Sequence, residues 1–240
     1  MSRDKAAIRA QARKLREAEA RRQRRREQLI RFSVIAGVVV VVLAVVIAVL
    51  ASRPSADDAA AVPTGVSAPD GGVVVGDASA PVTVDLWIDF QCPFCRDFEL
   101  TSGPTLDELV ADGSARLVYH PLSFLGEESE RAANAFGCSV DEGRPAEYLR
   151  VLYENQPPER TGGFTVDDLV AFGEQAEVTG EAFETCVADG SYDGWVSNVA
   201  ASQHDAGVTA TPTIVVDGQT LEADQLTPDG VRAAVEQAAA

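Results

Sequence analysis

The sequence predicts an α/β domain carrying a helical insertion, preceded by one N-terminal transmembrane helix. Three observations carry that expectation. A strand-like run, a helical run and a second strand follow one another between residues 80 and 121. Four helix-length segments, broken by Gly or Pro, come next, between about 127 and 190. Far upstream, the run from Phe32 to Ala51 contains no charged side chain. Strand, helix, strand is the opening of a small α/β sheet, and the helical block reads as an insertion into it.

Residues 1–31 hold twelve Arg or Lys against four Asp or Glu, a surplus of eight positive charges, although the whole chain is formally −17. The remainder is therefore strongly acidic, at about −25, and one solvent-exposed fold rarely sorts charge in this way. "FSVIAGVVVVVLAVVIAVLA", residues 32–51, explains the division. At about 1.5 Å per residue it matches the roughly 30 Å hydrocarbon core, and it is too long for the apolar region of a cleavable signal peptide. The basic run "RRQRRREQLIR" abuts it, which keeps the amino terminus cytoplasmic and places everything after Ser52 outside the cytoplasmic membrane. Beside a span, such a run reads as an orientation signal and an anionic-lipid contact, not as a nucleic-acid site.

Residues 52–72, rich in Ala, Ser, Pro, Gly and Asp, have no apolar period and read as a flexible tether. A folded domain is expected over 73–240. "APVTVDLWIDF" is β-branched and aromatic, a strand closed by a turn at Gln91 and Cys92. "PFCRDFELTSGPTLDELVADG" has helical spacing and stops at Gly113, with Pro104 expected to kink or interrupt it. "SARLVYHPLSF" is the second strand. The insertion at about 127–190 contains Thr165 and Asp168 at capping-box spacing. A further helix ends at Gly207. "TPTIVVDGQTLEA" is a strand, an Asp-Gly turn and a short return strand, and "TPDGVRAAVEQAAA" is a closing helix.

All four cysteines lie beyond the span, on the oxidising side where disulfides persist. They divide into a close pair, Cys92 and Cys95, and a distant pair, Cys138 and Cys186. A zinc site usually needs two close pairs, so no metal and no cofactor is expected. Cys92 stands at a strand–helix junction with Pro93 at the first helical position, which faces its sulfur toward unpaired N–H groups and the positive end of the helix dipole. That environment favours thiolate. Cys95, one turn on, can close a disulfide with Cys92 or release a mixed disulfide from it. A purely structural staple here would close a very small loop and remove little chain entropy.

"FQCPFC", then "YHPLSFLG", a helical insertion, "TPTIVVDG" and a final helix together resemble the DsbA-like thiol–disulfide oxidoreductases of the thioredoxin superfamily. More closely they are similar to the membrane-anchored, extracytoplasmic branch of GC-rich Gram-positive bacteria, over about residues 70–240. The resemblance implies a thioredoxin fold, Cys92 as nucleophile and Cys95 as resolving thiol. It implies a cis Pro212 facing them, and Thr211, Pro212 and Phe94 as the substrate-binding set. It implies exported proteins with free cysteines as substrates and a quinone-linked membrane reoxidase of the DsbB or VKOR type as partner. Cys138 and Cys186, on two helices of the insertion, match a structural bridge of that branch; a second redox relay would want adjacent spacing.

Two departures stand out. The carboxylate often found six residues before the first cysteine is replaced by Leu86, and the motif holds Pro-Phe in place of the Pro-His of the strongest oxidants. Asp85 and Asp89 are expected on the opposite strand face, as exposed structural residues. His120 and His204 read as surface or packing residues, and Trp87 and Trp195 as core. Within the same chemistry, a reductase or isomerase is the alternative; outside it, a non-catalytic tethered module that binds extended peptides.

Overall fold

The computed structural model describes residues 60–66 and 70–240. The basic segment 1–31, the apolar span 32–51 and most of the tether 52–72 lie outside the described residues. Among those described, no helix is long and apolar enough to cross a membrane.

The scaffold is a five-stranded sheet in the order β1-β3-β2-β4-β5. Its strands are β1 (Val73–Val75), β2 (Val82–Ile88), β3 (Ala115–Pro121), β4 (Thr213–Val216) and β5 (Gln219–Thr220). β2 and β3 run parallel, with Val84 opposite Leu117, and so need a crossover. Helix α1 (Pro93–Ala111) supplies it. β4 joins β2 antiparallel, with Leu86 opposite Ile214, and β1 joins β3 antiparallel. Asp217 and Gly218 both adopt positive φ (44° and 83°) in the tight β4–β5 turn, the backbone that Asp-Gly supplies. In β2, Val82, Val84, Leu86 and Ile88 are all buried, the alternation expected of a strand laid on a core.

The insertion is four helices: α2 (Glu127–Asp141), α3 (Pro145–Glu154), α4 (Val166–Gln175) and α5 (Glu181–Asp189). α6 (Asp193–Ser202) and α7 (Pro228–Ala238) complete the chain. Thr165 caps α4 in a reciprocal capping box with Asp168. α1 packs against α7, α3 and β3, and α2 packs against α3, α5 and α6. The insertion thus leans on the crossover helix and not on a separate core. Cys138 of α2 and Cys186 of α5 are joined by a disulfide, with Cα atoms 5.9 Å apart.

Three features differ from expectation. α1 runs through Pro104 without interruption. Ser102, Gly103, Thr105, Leu106 and Leu109 around it are buried, so packing outweighs the roughly 3 kcal/mol helix penalty of proline. β1 is a strand that its three-residue length concealed. Part of the stretch read as tether is docked: Pro63 is buried and the Thr64 N–H donates to Asp141 at 2.9 Å.

Candidate active site

β2 ends at Ile88, and four residues of turn lead to Pro93, the first residue of α1. Cys92 is the N-cap, in extended conformation (φ −72°, ψ 118°), and no side chain caps the helix from that position. Its sulfur is therefore left facing the first N–H groups of α1. The Cys92 thiol is lowered to about 6, chiefly by the hydrogen bond from the Cys95 thiol. Thr211 and the N–H groups of Cys95 and Phe94 add to this, against the opposing effect of burial. Cys95, almost fully buried, is held well above the ordinary thiol range by that burial and then by its coupling to Cys92. Both cysteines are free thiols here.

The Thr211–Pro212 peptide bond is cis, and the Cys92 thiol donates to the Thr211 carbonyl at 3.4 Å. Thr211 therefore meets the site through its carbonyl, and through its side chain, which helps to lower the Cys92 pKa. Phe94 lies beside Cys92 at 72% exposure, the most exposed large apolar side chain among the described residues. Cys138 and Cys186 contribute no thiol, being bridged to each other in the helical layer. Among the described residues no three His, Cys, Asp or Glu side chains gather where they could hold a metal ion.

Asp89 corrects the sequence reading. It is fully buried, not exposed. β2 has already ended, so its period of two no longer governs where residue 89 points. Its carboxylate accepts from the Gln91 N–H at 2.8 Å, the Ser129 hydroxyl at 2.7 Å and the Leu125 N–H at 3.1 Å. Burial raises its pKa, and those donors only partly offset the shift. Asp85 is half-buried and pairs with His120 Nε2 at 2.9 Å, while the His120 ring stacks on Trp87 at 4.1 Å. Trp195 is fully buried, its indole N–H donating to the Gly71 carbonyl at 2.8 Å. Two turns along α1 from Cys92, Glu99 is pushed up to about 7 by burial and by Asp107, against Arg150.

The sequence reading missed Gln91, Ser129, Tyr153 and Gln156, whose side chains bind the turn from Asp89 to Cys92. Gln91 stood inside the cysteine motif and was its one available signal. Gln156 precedes two prolines in a loop and looks like any solvated turn residue.

A family model described as thioredoxin matches residues 68–237. The reduced disulfide oxidoreductase DsbG of Mycobacterium tuberculosis superposes with TM-score 0.62 at 28% identity, covering 72% of this chain and 89% of that one. Oxidised DsbA of the same organism superposes with TM-score 0.61 at 27% identity, covering 70% and 92%. In sequence, the Na(+)/H(+) antiporter NhaA 3 of Salinispora tropica is 29% identical over 154 residues, which is 63% of this chain and 22% of that protein. The chain spans less than a third of the length of the first curated relatives it matches.

Proposed function

The chain belongs to the thioredoxin family as one of its DsbA-like thiol–disulfide oxidoreductases, and on that premise we propose that it introduces disulfide bonds into exported proteins while tethered to the membrane through residues 32–51. The observation that carries the reading is the asymmetry of the dithiol. Cys92 is acidic and stands at the start of a helix beside the Thr211 carbonyl, while Cys95 is buried and reluctant to ionise.

A substrate thiolate attacks the Cys92 sulfur of the Cys92–Cys95 bond. Cys95 departs and takes up a proton, leaving a mixed disulfide on Cys92. The substrate's second thiolate attacks its own sulfur in that mixed disulfide, and Cys92 leaves as thiolate. The substrate loses two electrons and gains a disulfide; Cys92–Cys95 gains the same two electrons. A leaving thiol of low pKa departs faster and stabilises the reduced enzyme, which makes the oxidised enzyme a donor of disulfides. Thr211 offers backbone to an extended substrate chain beside Pro212, and Phe94 offers apolar surface. Reoxidation falls to a quinone-linked membrane partner of the DsbB or VKOR type.

The test is the reduction potential of Cys92–Cys95 in a glutathione buffer. A value near the roughly −120 mV of strong oxidants supports the reading, and one near the roughly −270 mV of thioredoxin makes the chain a reductase. A Cys92→Ser, Cys95→Ser double variant that still complements loss of the gene would instead establish a peptide-binding module.

A further inference from the structure

Each of the four residues from Asp89 to Cys92 is held by a group from the 125–160 stretch. Asp89 takes the Ser129 hydroxyl and the Leu125 N–H on its carboxylate and the Tyr153 hydroxyl on its carbonyl, the last at 3.4 Å. Gln91 donates to Ser129 at 2.9 Å and accepts from the Arg160 N–H at 2.9 Å. Phe90 and Cys92 share one donor. The Gln156 amide gives one N–H to the Phe90 carbonyl at 2.8 Å and the other to the Cys92 carbonyl at 3.0 Å.

The Cys92 carbonyl also accepts the Arg96 N–H at 3.1 Å, the first hydrogen bond of α1. Gln156 therefore pins the peptide plane that begins the helix, from a loop 64 residues away. The Phe90 carbonyl lies beyond the strand and before the helix, where neither ladder provides it a donor. Arg96 extends the same grip, its Nε donating to the Tyr153 carbonyl at 3.0 Å. The end of α3 and the residues after it thus form a clamp on the nucleophile's turn.

We propose that Gln156 is a positioning residue for thiol–disulfide exchange: by fastening the carbonyls of Phe90 and Cys92 it holds the Cys92 sulfur against the N–H groups of the first turn of α1. Through it the helical insertion sets the reactivity of a cysteine on the sheet. The inference rests on the exchange chemistry proposed above. Without the amide, the turn loosens, the N–H groups lose alignment with the sulfur, and the positive end of the amide dipole is withdrawn from it. All three effects disfavour thiolate. The titratable groups facing Cys92 are Cys95 on its own helix and Tyr153 on α3.

The test replaces Gln156 by Met, of similar length with no donor, and by Asn, whose amide falls short of both carbonyls. Gln156 is half-buried and lies outside the hydrophobic core, so neither change disturbs that core. Tyr148→Phe is the control, since it removes a buried hydrogen bond to the Leu169 carbonyl inside the insertion, away from the turn. In the reduced full-length chain, the Cys92 titration is followed by the ultraviolet absorbance of its thiolate. Both Gln156 variants are expected to raise the midpoint by about half a unit or more, a threefold change in proton affinity. Their equilibrium with glutathione is expected to move severalfold toward the disulfide form, while Tyr148→Phe lowers Tm and moves neither. Wild-type midpoints in both Gln156 variants overturn the proposal. If the wild-type dithiol does not exchange with glutathione at all, the functional reading falls, and the midpoints still decide the role of Gln156.

Discussion

The Cys92 sulfur and the Thr211 carbonyl oxygen lie 3.4 Å apart, although 119 residues separate them in the chain. A carbonyl can receive a thiol proton but cannot donate to a thiolate. Once Cys92 ionises, its donors are therefore the Cys95 thiol, the Thr211 side chain and the N–H groups of Cys95 and Phe94. Cys95 supplies the largest stabilisation. Cys95→Ala is expected to raise the Cys92 midpoint from about 6 toward the ordinary thiol value of 9.0, whereas Cys95→Ser, which keeps a hydroxyl donor, raises it less. Thiolate absorbance against pH reads both, and an unmoved midpoint in the alanine variant would refute the assignment.

The same shift makes the stability of the reduced protein depend on pH. The folded value, about 6, lies below the unfolded value near 9.0. Stability from the thiolate is then complete above the unfolded value and is lost as pH falls through the folded one. Between these limits each pH unit adds at most about 1.4 kcal/mol. Unfolding free energies of reduced wild type minus reduced Cys92→Ala, compared at pH 6 and pH 8, are expected to grow with pH. A flat difference would show that Cys92 is not perturbed.

Asp89 carries a structural prediction of its own. Truncating it to Ala strands the Gln91 N–H and the Ser129 hydroxyl, both fully buried, and the N–H of the half-buried Leu125. Buried donors left unmet cost about 1–3 kcal/mol apiece, so Asp89→Ala is expected to destabilise by several kcal/mol and Ser129→Ala by about 1–2 kcal/mol. Denaturant unfolding of both variants measures this. If Asp89→Ala unfolds at the wild-type denaturant concentration, the network holds nothing.

Much of this arrangement was legible in the residues. Cys92 followed by Pro93 marks a helix start, Thr165 with Asp168 marks another, and Asp217-Gly218 marks a tight turn; each is a local rule, and the structure obeys it locally. What could not be read is non-local. Strand periodicity assigned Asp89 to an exposed face because nothing in "WIDFQC" shows that the strand stops one residue earlier. Pro104 reads as a breaker until α7 and the sheet bury its neighbours. Gln156 acquires its meaning only when α3 folds against a turn far upstream, and no pattern in "ENQPPE" encodes that contact.

The Cys138–Cys186 bridge is expected to support the insertion without tuning the dithiol. It spans 48 residues between α2 and α5. Restricting a loop of that length in the unfolded chain is worth about 4 kcal/mol. A Cys138→Ala, Cys186→Ala variant is thus expected to lose about that much stability while its Cys92–Cys95 potential stays at the wild-type value. Reduction potential and denaturant midpoint, measured on one preparation, separate the two effects. A shifted potential would mean that the bridge reaches the active-site turn through α2 and Ser129.

Phe94 is the opposite case, a side chain with little to give the fold. It is 72% exposed beside Cys92, more than any other large apolar side chain among the described residues, and most of its surface stays in water. Surface substitutions of that kind usually change stability by no more than about 0.5 kcal/mol, so Phe94→Ala is expected to leave Tm near its wild-type value. Its cost falls on encounter with substrate, where covering an exposed ring contributes on the order of 1–3 kcal/mol. Oxidation of a reduced, unfolded protein is therefore expected to show kcat/KM lowered about tenfold, carried by KM. Oxidation of dithiothreitol, too small to cover the ring, should proceed at the wild-type rate. Equal losses with both substrates would place Phe94 in the chemistry of the sulfur and not in binding.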